Sequence, residues 1–250
     1  MMDFTGADFT GPSSRLTVDL DAIARNWLLL RKKLQNGADC AGVVKADSYG
    51  LGAAQVSRTL YAQGCRHFFV AQYAEGLKVK AALADIAVSF PHAPVSGVES
   101  VPDAPSIYVL EGPRGAPAAE YIQSGLVPVL NSPADIAHWR AAAAAAGQRL
   151  PCLLHIDTGM NRLGLNGTEV AVLAADKDAF AALDVRYAMS HLCCADEPAH
   201  PKNAEQLALF RALTAALGRP LRLSFANSGG IFLGPDYHFD LARPGCAIYG

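Results

Sequence analysis

A lysine stands at the end of an apolar run in Ala41-Gly42-Val43-Val44-Lys45-Ala46-Asp47-Ser48-Tyr49-Gly50-Leu51-Gly52. The small and apolar residues before it suit a strand covered on both faces, and a glycine-bearing turn follows. A lysine whose stem is held in a desolvated mouth leans toward the neutral amine. A neutral amine forms a Schiff base with an aldehyde. The aldehyde cofactor that uses this chemistry is pyridoxal 5′-phosphate (PLP). The plainer alternative is a strand-end lysine paired to a carboxylate such as Asp47.

Further along, other reactive residue types stand in similar places. Arg162 follows Asp157-Thr158-Gly159-Met160-Asn161, and a guanidinium there suits a carboxylate or a phenolic oxygen. Asn227-Ser228-Gly229-Gly230 offers a hydroxyl and free backbone N–H groups, the parts of an anion cradle, although such a serine-glycine pair is also a common plain turn. Gly245 and Cys246 offer more backbone N–H groups. Arg243 stays charged and cannot accept a proton, with pairing to Asp240 as its plain alternative. Tyr49 and His191 have the alternatives of a packing aromatic and a satisfied barrel histidine.

These residues must be positioned by something. Candidate strands are Ala41–Val44, Phe68–Ala71, Ile107–Leu110, Val127–Leu130, Leu153–Ile156, Tyr187–Ser190, Leu221–Phe225 and Phe239–Leu241. Helical patterns lie between them at Leu20–Leu34, Ala53–Gln63, Ala74–Leu83, Ala118–Ser124, Thr168–Ala182 and Pro201–Leu217. Another helix starts at a capping Ser132 with a first-turn Pro133 and runs through the alanines 141–146 to Gly147. Phe90–Pro105, rich in proline, reads as a loop. Alternating strands and helices predict a parallel α/β barrel, with a doubly wound open sheet as the other arrangement. In a barrel the strand C-terminal ends carry the chemistry. Lys45, His155, Arg162, His191, Asn227 and Arg243 all fall at or just after such ends, which predicts one shared site.

Composition sets the outer bounds. The chain has 250 residues, 51% of them hydrophobic and 18% charged, enough apolar material for one large core. A net charge of −2 gives no electrostatic case for nucleic acid or a membrane surface. No basic, apolar leader is legible at Met1–Gly6, and no run reaches transmembrane length. The six cysteines, at 40, 65, 152, 193, 194 and 246, form no C-x-x-C pair and suit reduced thiols in the cytoplasm. His191, Cys193, Cys194 and His200 match no usual zinc spacing, and adjacent cysteines on a strand end point to opposite faces, so no metal is expected.

Taken together, five segments in order resemble the alanine racemase family. They are Val43–Gly52, Asp157–Gly164, Met189–Leu192 with Ala195–Glu197, Ala226–Gly230 and Ala242–Gly250. The resemblance covers the chain from about Ser14 onward and implies a (β/α)8 TIM-type barrel over residues 15–250 with PLP at its C-terminal mouth. Residues 1–14 are expected to be a flexible N-terminus. The resemblance also implies interconversion of L- and D-alanine for cell-wall D-alanine supply, by a homodimer in the full-length protein. It makes Lys45 the Schiff-base lysine and a proton acceptor at the substrate α-carbon. Tyr49, Ser228, Gly245 and Cys246 would hold the cofactor phosphate, with Asn227 in the same segment. Arg243 would face the pyridine nitrogen, and His191 would pack beside the ring with a hydrogen bond toward Arg243. Arg162 would contact the substrate carboxylate and the phenolic oxygen.

The chain departs from that family in two ways. Many members carry a carbamylated lysine seven residues before the arginine, and here His155 stands there. The family's second, mostly β domain is not represented after Gly250. Since racemisation needs two bases on opposite faces, these 250 residues are expected to be a fragment, or a complete protein that has lost full racemase activity, with weak activity or none. The other readings are a non-catalytic, single-domain PLP carrier and the barrel of a related serine racemase. Arg15–Asp19 reads as a short strand left without a sheet, with Asp19 or Asp21 near the next helix cap.

Overall fold

The computed structural model describes residues 16–87 and 104–250. Helix α1 (Leu20–Lys33) starts at Asp19, whose carboxylate accepts the Ala22 N–H at 2.9 Å. Its buried residues Ile23, Ala24, Trp27 and Leu30 share one face, and Arg31, Lys32 and Lys33 meet the negative end of the helix dipole. Leu16–Val18 form no strand, in keeping with a segment left without a sheet, and Val18 leans on the core.

The strands are β1 (Asp39–Cys40), β2 (Gly42–Val43), β3 (His67–Val70), β4 (Ser106–Val109), β5 (Val127–Leu130), β6 (Leu150–His155), β7 (Leu183–Met189), β8 (Leu223–Ser224) and β9 (Leu241–Ala242). β2 through β8 form one parallel sheet in chain order, and β1 pairs in parallel with β9. β1 and β2 are two halves of one strand, so the sheet closes. Asp39, Ala41 and Val43 donate to the carbonyls of Asp240, Ala242 and Pro244 at 2.9, 2.9 and 3.1 Å. On the other side of β9, Asp240 and Arg243 donate to Leu223 and Ala226 at 3.0 and 2.8 Å. The closed ring is the expected (β/α)8 barrel.

The helices after the strands are α2 (Lys45–Gly50), α3 (Ala53–Ala62), α4 (Tyr73–Ala87), α5 (Ala118–Ser124), α6 (Pro133–Ala146), α7 (Gly167–Ala175), α8 (Pro201–Ala216) and α9 (Cys246–Tyr249). Ser132 caps α6 and Gly147 ends it in the left-handed region at φ 63°, both as expected. α7 stops short of the expected Ala182, because the Asp176 side chain accepts the Asp178 N–H at 2.9 Å and turns the chain. Residues 90–103 of the expected Phe90–Pro105 loop lie outside the described residues, as do residues 1–14.

Side chains alternate across the barrel wall. Phe69, Tyr108, Val129, Leu153, Tyr187 and Leu241 fill the interior, while Phe68, Val70, Ile107, Val109, Leu154 and Phe225 meet the helices. Two buried indoles pin helices to strands: Trp27 of α1 donates to Ala41 O at 3.1 Å, and Trp139 of α6 to Pro151 O at 3.2 Å. A packed interior and a fixed helical ring hold the strand ends, and therefore the residues just beyond them, in register.

Candidate active site

A cleft of about 670 Å³ opens at the C-terminal end of the barrel. Lys45, Tyr49, Arg162, His191, Asn227, Ser228, Arg243, Gly245 and Cys246 all line it, and so does His155. The sequence reading named each of them, and the fold brings all of them to one mouth.

The chain after β2 does something no turn propensity predicts. Ala46, Asp47, Ser48 and Tyr49 all lie in the left-handed region, with φ between 51° and 57°, so α2 is a left-handed turn. A β-carbon in that conformation costs roughly 1–2 kcal/mol per residue. Three hydrogen bonds hold the turn. Ala46 N–H donates to Glu75 Oε1 at 2.7 Å, Asp47 Oδ1 accepts the Ala53 N–H at 2.7 Å, and Ser48 N–H donates to Val44 O at 3.0 Å. Asp47 is thus spent on starting α3 and does not pair with Lys45. Lys45 itself is half-buried on a wide cleft rather than sealed in a dry mouth.

The turn swings Tyr49 across to β9. Its ring packs on Tyr249 with centroids 4.9 Å apart, and burial raises its hydroxyl pKa. The hydroxyl reaches Gly245 so closely that a β-carbon there would lie 2.3 Å away. Ser228 Oγ accepts the N–H groups of Gly245 and Ala247 at 2.9 and 3.2 Å. Tyr49, Ser228 and the backbone at Gly245 and Cys246 therefore form one small polar corner, fit for an anionic group. Asn227 shapes this corner from behind. Its amide donates to Leu192 O at 3.1 Å and accepts the Gly230 N–H at 2.9 Å, so both ends serve the backbone.

Arg243 is buried at the cleft floor without a carboxylate. It donates to Ser224 Oγ at 2.5 Å and to Ser190 O, and Ser224 passes its own proton to Leu241 O at 2.6 Å. Burial pulls its pKa down to about 9, which leaves it charged at neutral pH. Asp240, its alternative partner, accepts the Leu223 N–H at 2.6 Å instead. The expected hydrogen bond between His191 and Arg243 is not formed. The carbonyl of the preceding residue, Ser190, takes the guanidinium because the strand end turns it inward.

Both cleft histidines are held neutral. Burial first, then the charges of Arg243 and Arg162, pushes His155 and His191 each down to about 3. His155 Nδ1 lies 2.7 Å from Asn131 Oδ1. Arg162 is exposed on the loop after β6, with no hydrogen-bond or ion-pair partner among the described residues. That loop is pinched shut at its base: Leu165 N–H donates to His155 O at 2.8 Å, and Asp157 N–H to Leu165 O at 2.9 Å. Gly164, at φ 110°, fits where a β-carbon would meet Asp157 N at 2.8 Å.

Several supporting residues went unread in the sequence. Gln206 of α8, fully buried, donates to Thr158 Oγ1 and His191 O and accepts from Cys193, tying two site loops together. Thr158 Oγ1 and Ser190 Oγ are 2.8 Å apart. Glu75 and Asn131 complete the set; Asn131 follows a strand end directly and was findable on that ground. Cys193 and Cys194 lie in a loop with sulfurs 3.6 Å apart, not on opposite faces of a strand. Among the described residues no cluster of three or more His, Cys, Asp or Glu side chains is placed to hold a metal, and no helix is long and apolar enough to cross a membrane.

Fold and site define a class: a (β/α)8 barrel whose mouth sets a lysine, two arginines and a polar anion corner around one cleft. The chain belongs to the alanine racemase N-terminal domain family, whose model matches residues 18–250. It is 51% identical over 235 residues to the alanine racemase of Rhodospirillum rubrum, covering 94% of this chain and 58% of that protein. It is 48% identical to the catabolic alanine racemase of Mesorhizobium japonicum, covering 94% of this chain and 56% of that one. The crystal structure of alanine racemase from Bartonella henselae, which carries covalently bound pyridoxal phosphate, superposes with a TM-score of 0.82 at 37% identity, over 93% of this chain and 62% of that one. The chain thus spans little more than half the length of these relatives.

Proposed function

We propose that this chain is the cofactor-bearing barrel of a PLP-dependent alanine racemase. One observation carries the reading. Lys45, Arg243, Arg162 and the Tyr49–Ser228–Gly245 corner open on the same cleft, with its volume of about 670 Å³. Their chemistry matches the parts of PLP and an amino acid: an amine for the carbonyl, a donor for the ring nitrogen, a cation for a carboxylate, and a polar corner for the phosphate.

When bound, PLP supplies an electrophilic carbonyl and a ring that withdraws electron density from the α-carbon of an attached amino acid. Lys45 would hold that carbonyl, and its amine would be the base placed to accept the α-proton. Arg243 would offer the ring nitrogen donors only and so would leave it unprotonated, a restraint that suits racemisation over transamination. Arg162 holds the substrate carboxylate. Tyr49, Ser228 and the backbone N–H of Cys246 would hold the phosphate, and His191 would pack beside the ring.

The second base would come from outside this barrel, in a homodimer working in the cytoplasm. Relatives bear both the plain and the catabolic name. The site chemistry serves either direction, supply of D-alanine to the cell wall or its breakdown. The test is to load the chain with PLP, reduce it with borohydride and map the label. Label on Lys45 supports the reading; label on Lys32, Lys78 or Lys202 refutes it.

A further inference from the structure

His155 ends β6 with its imidazole between a buried amide and the open cleft. Which nitrogen carries the proton follows from Asn131. The Asn131 Nδ2 donates to Leu110 O at 2.8 Å and to Val129 O at 3.1 Å, which spends both amide protons on carbonyls. Its Oδ1 is therefore what faces His155, at 2.7 Å from Nδ1. An amide oxygen only accepts, so Nδ1 must donate. The other nitrogen, Nε2, is then a bare lone pair.

Among the described residues that lone pair has no protein partner and is not one of the sealed, unsatisfied polar atoms, and the imidazole lines the cleft. The neighbouring Cδ2 packs against Gly164, where a β-carbon would come within 3.2 Å. The acceptor edge is thus turned toward the base of the loop that carries Arg162. The charged groups around it are Arg243 and Arg162, with Asp157 behind. Arg162 brings donors and no partner of its own.

We propose, resting on the reading of Arg162 as the carboxylate-binding arginine, that His155 is its positioning residue. Its Nε2 accepts a guanidinium N–H of Arg162 when a carboxylate enters the cleft. The device differs from an ion pair. A neutral acceptor orients the guanidinium without neutralising it, so the full positive charge stays available to the ligand. Asn131 keeps the acceptor edge outward, and burial, with the two arginines, keeps it from becoming a cation. No proton changes place in this step; one hydrogen bond to water is exchanged for one to imidazole.

The experiment uses the 250-residue chain labelled with ¹⁵N-histidine, free, loaded with PLP, and loaded with added propionate as the carboxylate probe. The His155 signal is assigned by its loss in His155→Gln. Expected is a bare Nε2 and a protonated Nδ1 in every state, with no titration between about pH 5 and 8. Propionate shifts the Nε2 resonance toward the hydrogen-bonded range in the wild type and leaves it unmoved in Arg162→Leu. His155→Leu weakens propionate binding about tenfold, and His155→Gln, which returns an acceptor near the Nε2 position, recovers most of it. A proton on Nε2, titration in that pH range, or equal shifts in the wild type and Arg162→Leu overturns the inference. PLP labelling is scored separately: failure to label Lys45 overturns the reading of the site, whereas a protonated Nε2 beside a labelled Lys45 overturns only the role of His155.

Discussion

The Tyr49 hydroxyl and the Gly245 backbone meet so closely that only glycine fits at position 245 while the tyrosine stays in place: a β-carbon there would lie 2.3 Å from the hydroxyl and 3.2 Å from Cζ. The contact joins the two ends of the barrel wall, since Tyr49 follows β2 and Gly245 follows β9. It also places the tyrosine beside the N–H groups that a phosphate would use. The close approach of the Tyr49 hydroxyl is what a side chain at 245 would meet first.

Gly245→Ala should therefore harm cofactor binding far more than folding. The methyl pushes the Tyr49 ring outward, and a flexible, half-exposed side chain yields cheaply. The expected result is a loss in PLP affinity of roughly tenfold or more, the cost of a charge-assisted hydrogen bond. The melting temperature of the free chain should change little. Absorbance titration and thermal unfolding of the same protein measure both.

Inversion and exchange should separate in this chain. Lys45 is one base at the cleft. His155 and His191 are weak ones, held at about 3, and burial raises the Tyr49 hydroxyl. None of these is a good second base near neutral pH. PLP-loaded chain in deuterium oxide should exchange the alanine α-proton faster for one enantiomer, while the optical rotation stays close to constant. Inversion as fast as exchange would show that one of these groups serves as the second base after all.

Most of the site was legible because a barrel puts its chemistry at strand ends, and strand ends are marked by apolar runs that stop abruptly. Lys45, His191 and Arg243 were found that way. What stayed hidden was the wiring. Gln206 sits on an outer helix, and nothing in Pro201–Ala216 says that its amide turns inward to reach Thr158. The left-handed turn was hidden for a different reason. Ala46-Asp47-Ser48-Tyr49 contains no glycine, so propensity argues against the conformation the tertiary contacts impose.

Acid should weaken the fold before it protonates the site. Burial, with the charges of Arg243 and Arg162, holds His155 and His191 down near 3, well below the ordinary imidazole range. Between the two the unfolded chain binds more protons than the native one, so stability rises with pH there. The contribution is complete above about 6.5 and is lost as pH falls toward 3, at up to about 1.4 kcal/mol per histidine per pH unit. Urea unfolding from pH 7 to 4 should show this slope, and His155→Gln should flatten it. An unchanged slope in that variant would mean that His155 titrates normally in the native state.

The left-handed turn makes the sharpest test, because its sign is unusual. Ala46 lies at φ 51° with its side chain exposed, so its β-carbon adds strain and no packing. Ala46→Gly removes that strain, worth roughly 1–2 kcal/mol, against an entropic cost of about 0.5–1 kcal/mol for the freer unfolded chain. The net should be a gain of about 0.5–1 kcal/mol. Glu75 is the opposing case. Its carboxylate accepts Ala46 N–H at 2.7 Å and the N–H groups of Ala71 and Gln72 at 2.8 and 3.1 Å, joining the turn to the start of α4. Glu75→Ala frees all three and should cost about 2–3 kcal/mol. If the turn depends on that carboxylate, Glu75→Ala should also lower PLP affinity, because Tyr49 is aimed by the turn and not by its own packing alone. Combining the two changes separates the effects. Strain relief from glycine should persist in the Glu75→Ala background if the turn survives, and vanish if it relaxes to a right-handed path, where a glycine at 46 would destabilise instead. Circular dichroism and urea midpoints of the four proteins distinguish these outcomes.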